Sequence, residues 1–240
     1  ETLNQYGVMM HSFDPFVTKW IEHAPTVPIS LEIGCAFGAA SLEAFERGAN
    51  HIIVNDIEQK HLDYVKEETH RRFHGEKRLD CLVGGVPSVL RSPLSESSSL
   101  SIDNILCANV FHFLTNQEII ETLGLLYDMC SKDAQLFVSL DSPFTQTYKA
   151  MWPLYFIRKL FSQSPGLLKV PQSMRSMILP PRLSGIPLYH PMEPQQLSQL
   201  AEKAGWKVIE ARLFSADQKG NPDGVTLNNG KEMCGIYAIK

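Results

Sequence analysis

The run Leu31-Glu32-Ile33-Gly34-Cys35-Ala36-Phe37-Gly38-Ala39-Ala40-Ser41 passes from an apolar strand into a helix start built of small residues. Gly34 permits a tight turn there, and Gly38 lets a ligand or the next stretch of backbone approach closely. Asp56 stands 22 residues beyond Gly34, at the carboxyl end of the next apolar run. A carboxylate in that place can accept hydrogen bonds from the two hydroxyls of a ribose while the glycine turn meets the rest of the ligand. A dinucleotide fingerprint needs G-x-G-x-x-G. In register from Gly34 this chain offers Gly34, Ala36 and Ala39, so the middle glycine that admits a pyrophosphate is an alanine. No G-x-x-x-x-G-K-[ST] motif for a triphosphate is present either. The turn suits a nucleoside-like ligand without phosphates.

Proton transfer needs a group that titrates near neutrality, and histidine is the side chain most often suited. His112 follows the fourth apolar run, and His190 closes a proline-rich stretch. Asp141, at the end of the fifth run, is a third candidate. Each has a plain alternative as a structural residue. The five cysteines (Cys35, Cys81, Cys107, Cys130 and Cys234) are odd in number and form no C-x-x-C pair. All but Cys130 lie within or beside apolar or Gly/Ala-rich runs. They read as reduced, buried thiols rather than a metal site or a disulfide framework.

These residues must be positioned by something, and the chain alternates short apolar runs with amphipathic ones. Ile29–Ile33, His51–Asp56, Cys81–Val83, Ile102–Asn109 and Leu136–Leu140 read as strands, mostly apolar rather than alternating, as parallel strands covered on both faces are. Helices are predicted over Asp14–His23, Ser41–Glu46, Gln59–Phe73 and Asn116–Cys130. In the last of these, Ile119, Ile120, Leu123, Leu126 and Tyr127 share a face. The order implies a doubly wound, Rossmann-like α/β fold, its seven-stranded sheet mostly parallel. A late helix begins at Glu193–Pro194 and stops at Gly205. Trp206–Phe214 and Met233–Ile239 then pair at an antiparallel C-terminal edge through the turn-rich Asp217–Gly230 stretch.

The expected organisation is a single domain over residues 1–240, with an N-terminal helical segment over 1–27. After the fifth strand comes an α-helical, proline-rich insertion over 143–190. Nine of the fifteen prolines fall between Pro143 and Pro194, alongside Tyr148, Trp152, Tyr155, Phe156, Phe161 and Tyr189. Such an insertion at the ligand end of an open α/β sheet reads as a lid or substrate pocket. Alternatively, Met151–Phe161 with Arg158 and Lys159 forms a membrane-surface helix. Tyr6–Asp14 is a candidate flap over the ligand, and Ser95–Ser101 a loop.

Of 240 residues, 44% are hydrophobic and 20% charged, which excludes a disordered or fibrous chain. The net charge of −4 lacks the basic footprint of a nucleic-acid binder, so no nucleic-acid partner is expected. No apolar run reaches the roughly 18 residues of a membrane span. The chain opens without a basic-then-apolar leader, and a cytoplasmic location is expected.

Taken together, the motifs resemble those of the class I S-adenosylmethionine-dependent methyltransferases. Glu32-x-Gly34-x-x-x-Gly38 looks like the family's first motif in a relaxed form. Val54-Asn55-Asp56-Ile57 looks like its second-strand motif. The stretch from Ser101 to Leu114, with Asp103 at its start and Asn109-Val110-Phe111-His112-Phe113-Leu114 at its end, is similar to the fourth-strand motif. Glu193–Trp206 running into Val208-Ile209-Glu210-Ala211 resembles the family's late helix and turn. The resemblance spans Pro28–Ser142 and Pro191–Lys240.

It implies S-adenosyl-L-methionine as cofactor and a small organic acceptor with an oxygen, nitrogen or carbon nucleophile. Glu32, Gly34, Cys35, Ala36 and Gly38 would shape the methionine end, and Asp56 would hold the ribose. Ile57 would flank the adenine, and Asn109 and Val110 would line the cleft. The family often carries an acid after the third strand, where this chain has Gly85, so adenine recognition would fall to backbone around Gly85 and Val86. His112, His190 and Asp141 are the candidates for a general base, and no metal is implied. Two rivals share the topology: an NAD(P)-dependent oxidoreductase, and a non-catalytic binding protein that keeps the fold.

Overall fold

The computed structural model describes residues 13–91, 101–162, 164–169, 188–216 and 229–240. Asp14 caps the first helix, α1 (Pro15–His23), its carboxylate accepting from the amides of Phe16 and Val17 at 2.8 and 3.0 Å, with Pro15 at the first turn. Strand β1 (Ser30–Ile33) leads through the glycine turn into α2 (Ala39–Glu46). Strand β2 (His51–Asp56), helix α3 (Gln59–Phe73) and strand β3 (Arg78–Val83) follow. Strand β4 (Ile102–Ala108) precedes α4 (Asn116–Met129), which opens on a reciprocal capping box between Thr115 and Glu118. Strand β5 (Cys130–Asp141) ends the parallel set. Beyond it lie α5 (Trp152–Lys159) and a small pair of strands, β6 (Leu168–Lys169) and β7 (Leu188–Tyr189). Helix α6 (Pro194–Lys203), β8 (Lys207–Phe214) and β9 (Met233–Ile239) complete the chain.

The main sheet runs β3-β2-β1-β4-β5-β9-β8. The first five strands are mutually parallel, and β9 is antiparallel to both β5 and β8. Helices α1, α2 and α3 cover one face through Phe16, Trp20, Phe45 and Val65. Helices α4 and α6 cover the other through Leu123, Leu126 and Leu197. This is the Rossmann-like, mostly parallel seven-stranded sheet with an antiparallel edge that the sequence implies. Phe16 lies so close to β9 that a Cβ at Gly235 would fall 2.3 Å from its ring, which makes glycine a packing requirement there.

Element ends differ from expectation for local reasons. β3 starts at Arg78 rather than Cys81, because an edge strand tolerates exposed polar residues. β5 starts at Cys130 rather than Leu136, since α4 runs straight into a strand start that carries the exposed Lys132 and Asp133. The cysteine assignment is corrected at one position: Cys81, on the edge strand, is exposed, whereas Cys35, Cys107, Cys130 and Cys234 are buried. Tyr6–Ser12, Ser95–Leu100 and most of the Asp217–Gly230 turn lie outside the described residues.

Candidate functional site

Strand order reverses between β1 and β4, the point at whose carboxyl side open α/β sheets take ligands. The turn after β1 is held in an unusual backbone shape. Gly34, Ala36 and Gly38 have φ of 71°, 45° and 68°, a region that alanine seldom enters. Gly34 is required by packing: a Cβ there would lie 2.3 Å from Val110 Cγ2. At Gly38 a Cβ would lie 2.6 Å from Val65 Cγ2 on α3. The two glycines thus admit protein side chains, and it is the Ala36 backbone between them that faces the acid.

Asp56, only 6% exposed, receives the turn. The Ala36 amide donates to its Oδ2 at 2.9 Å. On Oδ1, the Glu58 amide donates at 2.9 Å and His61 Nδ1 lies at 3.0 Å. These contacts use three of the roughly four lone-pair sites of a carboxylate, leaving one on Oδ2. The His61 ring in turn packs on Phe37, centroids 4.8 Å apart. Below the turn, Glu32 is buried in β1 and accepts from both the amide (3.1 Å) and the hydroxyl of Ser41, clamping β1 to the first turn of α2. Burial pushes the Glu32 carboxyl up to about 7, with the nearby Asp56 charge adding to the rise and the Ser41 bonds opposing it. Cys35 is buried and its thiol is pushed upward for the same reason.

Beside Asp56, Ile57 and Val83 at the ends of β2 and β3 are 57% and 50% exposed, unusual for strand-end aliphatics. A Cβ at Gly85 would make ordinary contact with Ile57 at 3.6 Å, so the Gly85–Val86 backbone borders that apolar surface. Asn55 fixes this edge by donating to the carbonyls of Leu82 (2.8 Å) and Gly84 (2.9 Å). Sequence reasoning missed Asn55, Ser41 and His61. Only His61 carried a signal, lying five residues past Asp56, inside the first turns of the helix that follows.

The opposite wall is the end of β4. Asn109 has φ 58° and donates its amide to the Ser139 carbonyl at 2.7 Å, turning the chain so that Val110 covers Gly34. His112 follows in a short 3-10 turn and is buried. Its Nδ1 has no hydrogen-bond partner among the described residues, and its ring packs edge-on against Phe113, with Tyr189 also close by. Burial lowers its pKa, with Asp141 partly opposing, so the imidazole is neutral. The Tyr189 hydroxyl donates to Asp141 Oδ2 at 2.7 Å.

His190 is tied in from all sides. Its amide donates to the His112 carbonyl at 2.7 Å, Nδ1 lies 2.9 Å from the Leu114 carbonyl, and Nε2 lies 3.1 Å from Gln196 Nε2. A neutral ring protonated at Nδ1 satisfies both, and burial brings its pKa down to about 4. The fold therefore gathers two sets: Glu32, Gly34–Gly38, Asp56, Ile57 and Gly85 around β1 and β2, and Asn109, Val110, His112, Asp141 and His190 around β4 and β5. Val110 over Gly34 is where they meet.

No protein-family model matches the chain, and no curated protein matches it by sequence. Solved structures match it in fold. An S-adenosylmethionine-dependent methyltransferase from Methanosarcina mazei superposes with a TM-score of 0.63 at 15% identity, covering 95% of this chain and 98% of that one. Magnesium protoporphyrin IX methyltransferase from Synechocystis, solved with bound S-adenosylhomocysteine, gives 0.58 at 12% identity over 99% and 91%. An N-methyltransferase from Bradyrhizobium japonicum, also in complex with S-adenosylhomocysteine, gives 0.53 at 13% identity over 95% and 88%. The chain is similar to these proteins in fold and shares few of their residues.

Proposed function

We propose that the protein is an S-adenosylmethionine-dependent methyltransferase acting on a small organic acceptor. The observation that carries this reading is the left-handed turn at Gly34–Gly38 closed onto Asp56 at the point where strand order reverses. The fold shared with methyltransferases, two of them solved with S-adenosylhomocysteine, supports it. The residues fit the cofactor's chemistry. Asp56 keeps one acceptor site for a ribose hydroxyl, Ile57 and Val83 offer exposed apolar surface to an adenine, and the half-exposed Ala36 lies where backbone can meet the amino-acid end. When bound, the cofactor supplies a methyl group activated on a sulfonium.

The chain's own part is alignment and exclusion of water. Val110 and Asn109 separate the cofactor side from the acceptor side. His112, neutral and with Nδ1 unpartnered among the described residues, is the group to accept a proton from an acceptor hydroxyl or amine. Asp141 and Tyr189 flank it, while His190, with both nitrogens engaged, holds the His112 backbone in place as a positioning residue. An acceptor enclosed between His112 and the aromatic cluster of Tyr148, Tyr155 and Tyr189 would be small and partly apolar.

Calorimetry with S-adenosylhomocysteine on the full chain tests the cofactor assignment. Wild type is expected to bind, and Asp56→Ala to lose at least about a hundredfold in affinity, because the charge-assisted bond to the turn and the one to the ribose go at once. Absence of binding by the wild type, or a titration with NADH in its place, overturns the reading. Binding without turnover across oxygen, nitrogen and carbon acceptors would leave a non-catalytic relative of the fold.

A further inference from the structure

The inner side of α5 is fastened to the rest of the chain. Tyr155 is buried and its hydroxyl donates to Glu193. Trp152 Nε1 donates to the Pro143 carbonyl at 2.8 Å, and Arg158 donates to the carbonyls of Leu167 (2.7 Å) and Ser164 (3.2 Å). Among the described residues its outer side has no such partners. Leu154, Phe156, Ile157, Leu160 and Phe161 are exposed, the last two by 76% and 86%. Among the described residues ten large apolar side chains are exposed, and half of them fall within these eight consecutive positions. Apolar surface so concentrated on a helix and the turn after it marks an interaction site rather than scatter.

Charge identifies what covers it. Between Asp141 and Glu193 the sequence contains no acidic residue and six basic ones: Lys149, Arg158, Lys159, Lys169, Arg175 and Arg182. The remainder then has sixteen basic and twenty-six acidic residues, a net charge of −10 against +6 for this one segment. Lys149, Lys159 and Lys169 are exposed, Lys159 while paired with Glu193 at 2.6 Å. Arg175 and Arg182 lie outside the described residues and enter as charge alone. A chain this polar in charge meets an anionic surface with the segment leading and its acidic body turned away.

We propose that the outer face of α5, from Leu154 to Phe161, docks on an anionic lipid bilayer. The aliphatic side chains Leu154, Ile157 and Leu160 gain from acyl chains but have no stacking use on RNA bases, which sets a membrane above the other polyanion of matching charge. No helix among the described residues is long and apolar enough to cross a membrane, so the contact is interfacial. Few side chains insert, which makes attachment reversible and dependent on ionic strength.

Co-sedimentation of the full chain with vesicles of equal parts phosphatidylglycerol and phosphatidylcholine, and with phosphatidylcholine alone, tests this without reference to catalysis. The expected result is binding to the anionic vesicles only, weakened by added salt. The double variant Leu160→Glu/Phe161→Glu should lose roughly tenfold or more in vesicle affinity while keeping the wild-type circular dichroism and melting temperature, since both side chains stand in solvent. Three outcomes each overturn the proposal: no binding to anionic vesicles at low salt, undiminished binding by the double variant, or tighter binding to single-stranded RNA than to the vesicles. A dimer in gel filtration that the double variant splits would also overturn it, assigning the face to a second copy of the chain.

Discussion

The turn after β1 and the segment after β5 reach the same sheet edge with opposite construction. Around the turn, backbone amides meet buried carboxylates: the Ser41 amide on Glu32, and the Glu58 and Ala36 amides on Asp56. Two glycines let side chains from neighbouring elements close in. The segment is instead held by aromatic hydroxyls, Tyr148 on Gly166, Tyr155 on Glu193 and Tyr189 on Asp141, over a cluster of rings. A turn whose geometry is set by its own backbone can serve one unvarying ligand. A segment set by side-chain packing can change its rings, and with them the acceptor, without disturbing that turn.

The sharpest way to probe the first region is through its buried acid. Glu32 ionises near 4.5 when unfolded and near 7 when folded, so its contribution to stability is complete below pH 4.5 and is lost as pH rises through 7. Folding stability should therefore fall over that window by an amount on the order of 3 kcal/mol, because the charged carboxylate is desolvated. Glu32→Gln cannot ionise, and urea unfolding at about pH 5 and about pH 8 should show the wild type falling more steeply than the variant. Parallel declines would mean that the carboxyl is solvated rather than buried, and the turn softer than its hydrogen bonds imply.

Gly34→Ala asks the same region a steric question. A methyl at φ 71° overlapping Val110 Cγ2 should cost about 2 kcal/mol, part in backbone strain and part in overpacking. Adding Val110→Ala should recover the packing part, about half, in chemical denaturation. If Gly34→Ala proves as stable as wild type, the contact between the two walls is not close.

How far each region can be read from sequence follows from the same contrast. Strand β2 and Asp56 are legible because a buried parallel strand is a continuous apolar run, and an acid at its end breaks that run visibly. The capped start of α4 and the proline-to-glycine limits of α6 are legible because their signals are local. Glu32 is legible as a site residue but not as the clamp on Ser41, since a spacing of nine residues across a strand, turn and helix has no sequence signature. The reasons for Gly34 and Gly38 lie in Val110 and Val65, supplied by distant elements. In the segment after β5, neither the hydroxyl of Tyr189 on Asp141, 48 residues away, nor the engagement of both His190 nitrogens follows from composition.

The smallest effect bears most directly on whether the two regions are separable. Tyr189→Phe removes one hydroxyl, which donates to Asp141 Oδ2, and leaves the buried ring among Tyr148 and His112. Losing one hydrogen bond to a half-buried carboxylate should cost about 1 kcal/mol in unfolding free energy. The Tyr189 bond lies on the β5 side of Val110, and no contact of the turn with Asp56 runs through it, so affinity for S-adenosylhomocysteine should stay within about twofold of wild type by calorimetry. Turnover should fall several-fold, because Asp141 and the ring beside His112 lose a fixed relation. If cofactor affinity instead fell in step with turnover, the two walls would be one mechanical unit, and variation in the segment could not leave the turn untouched.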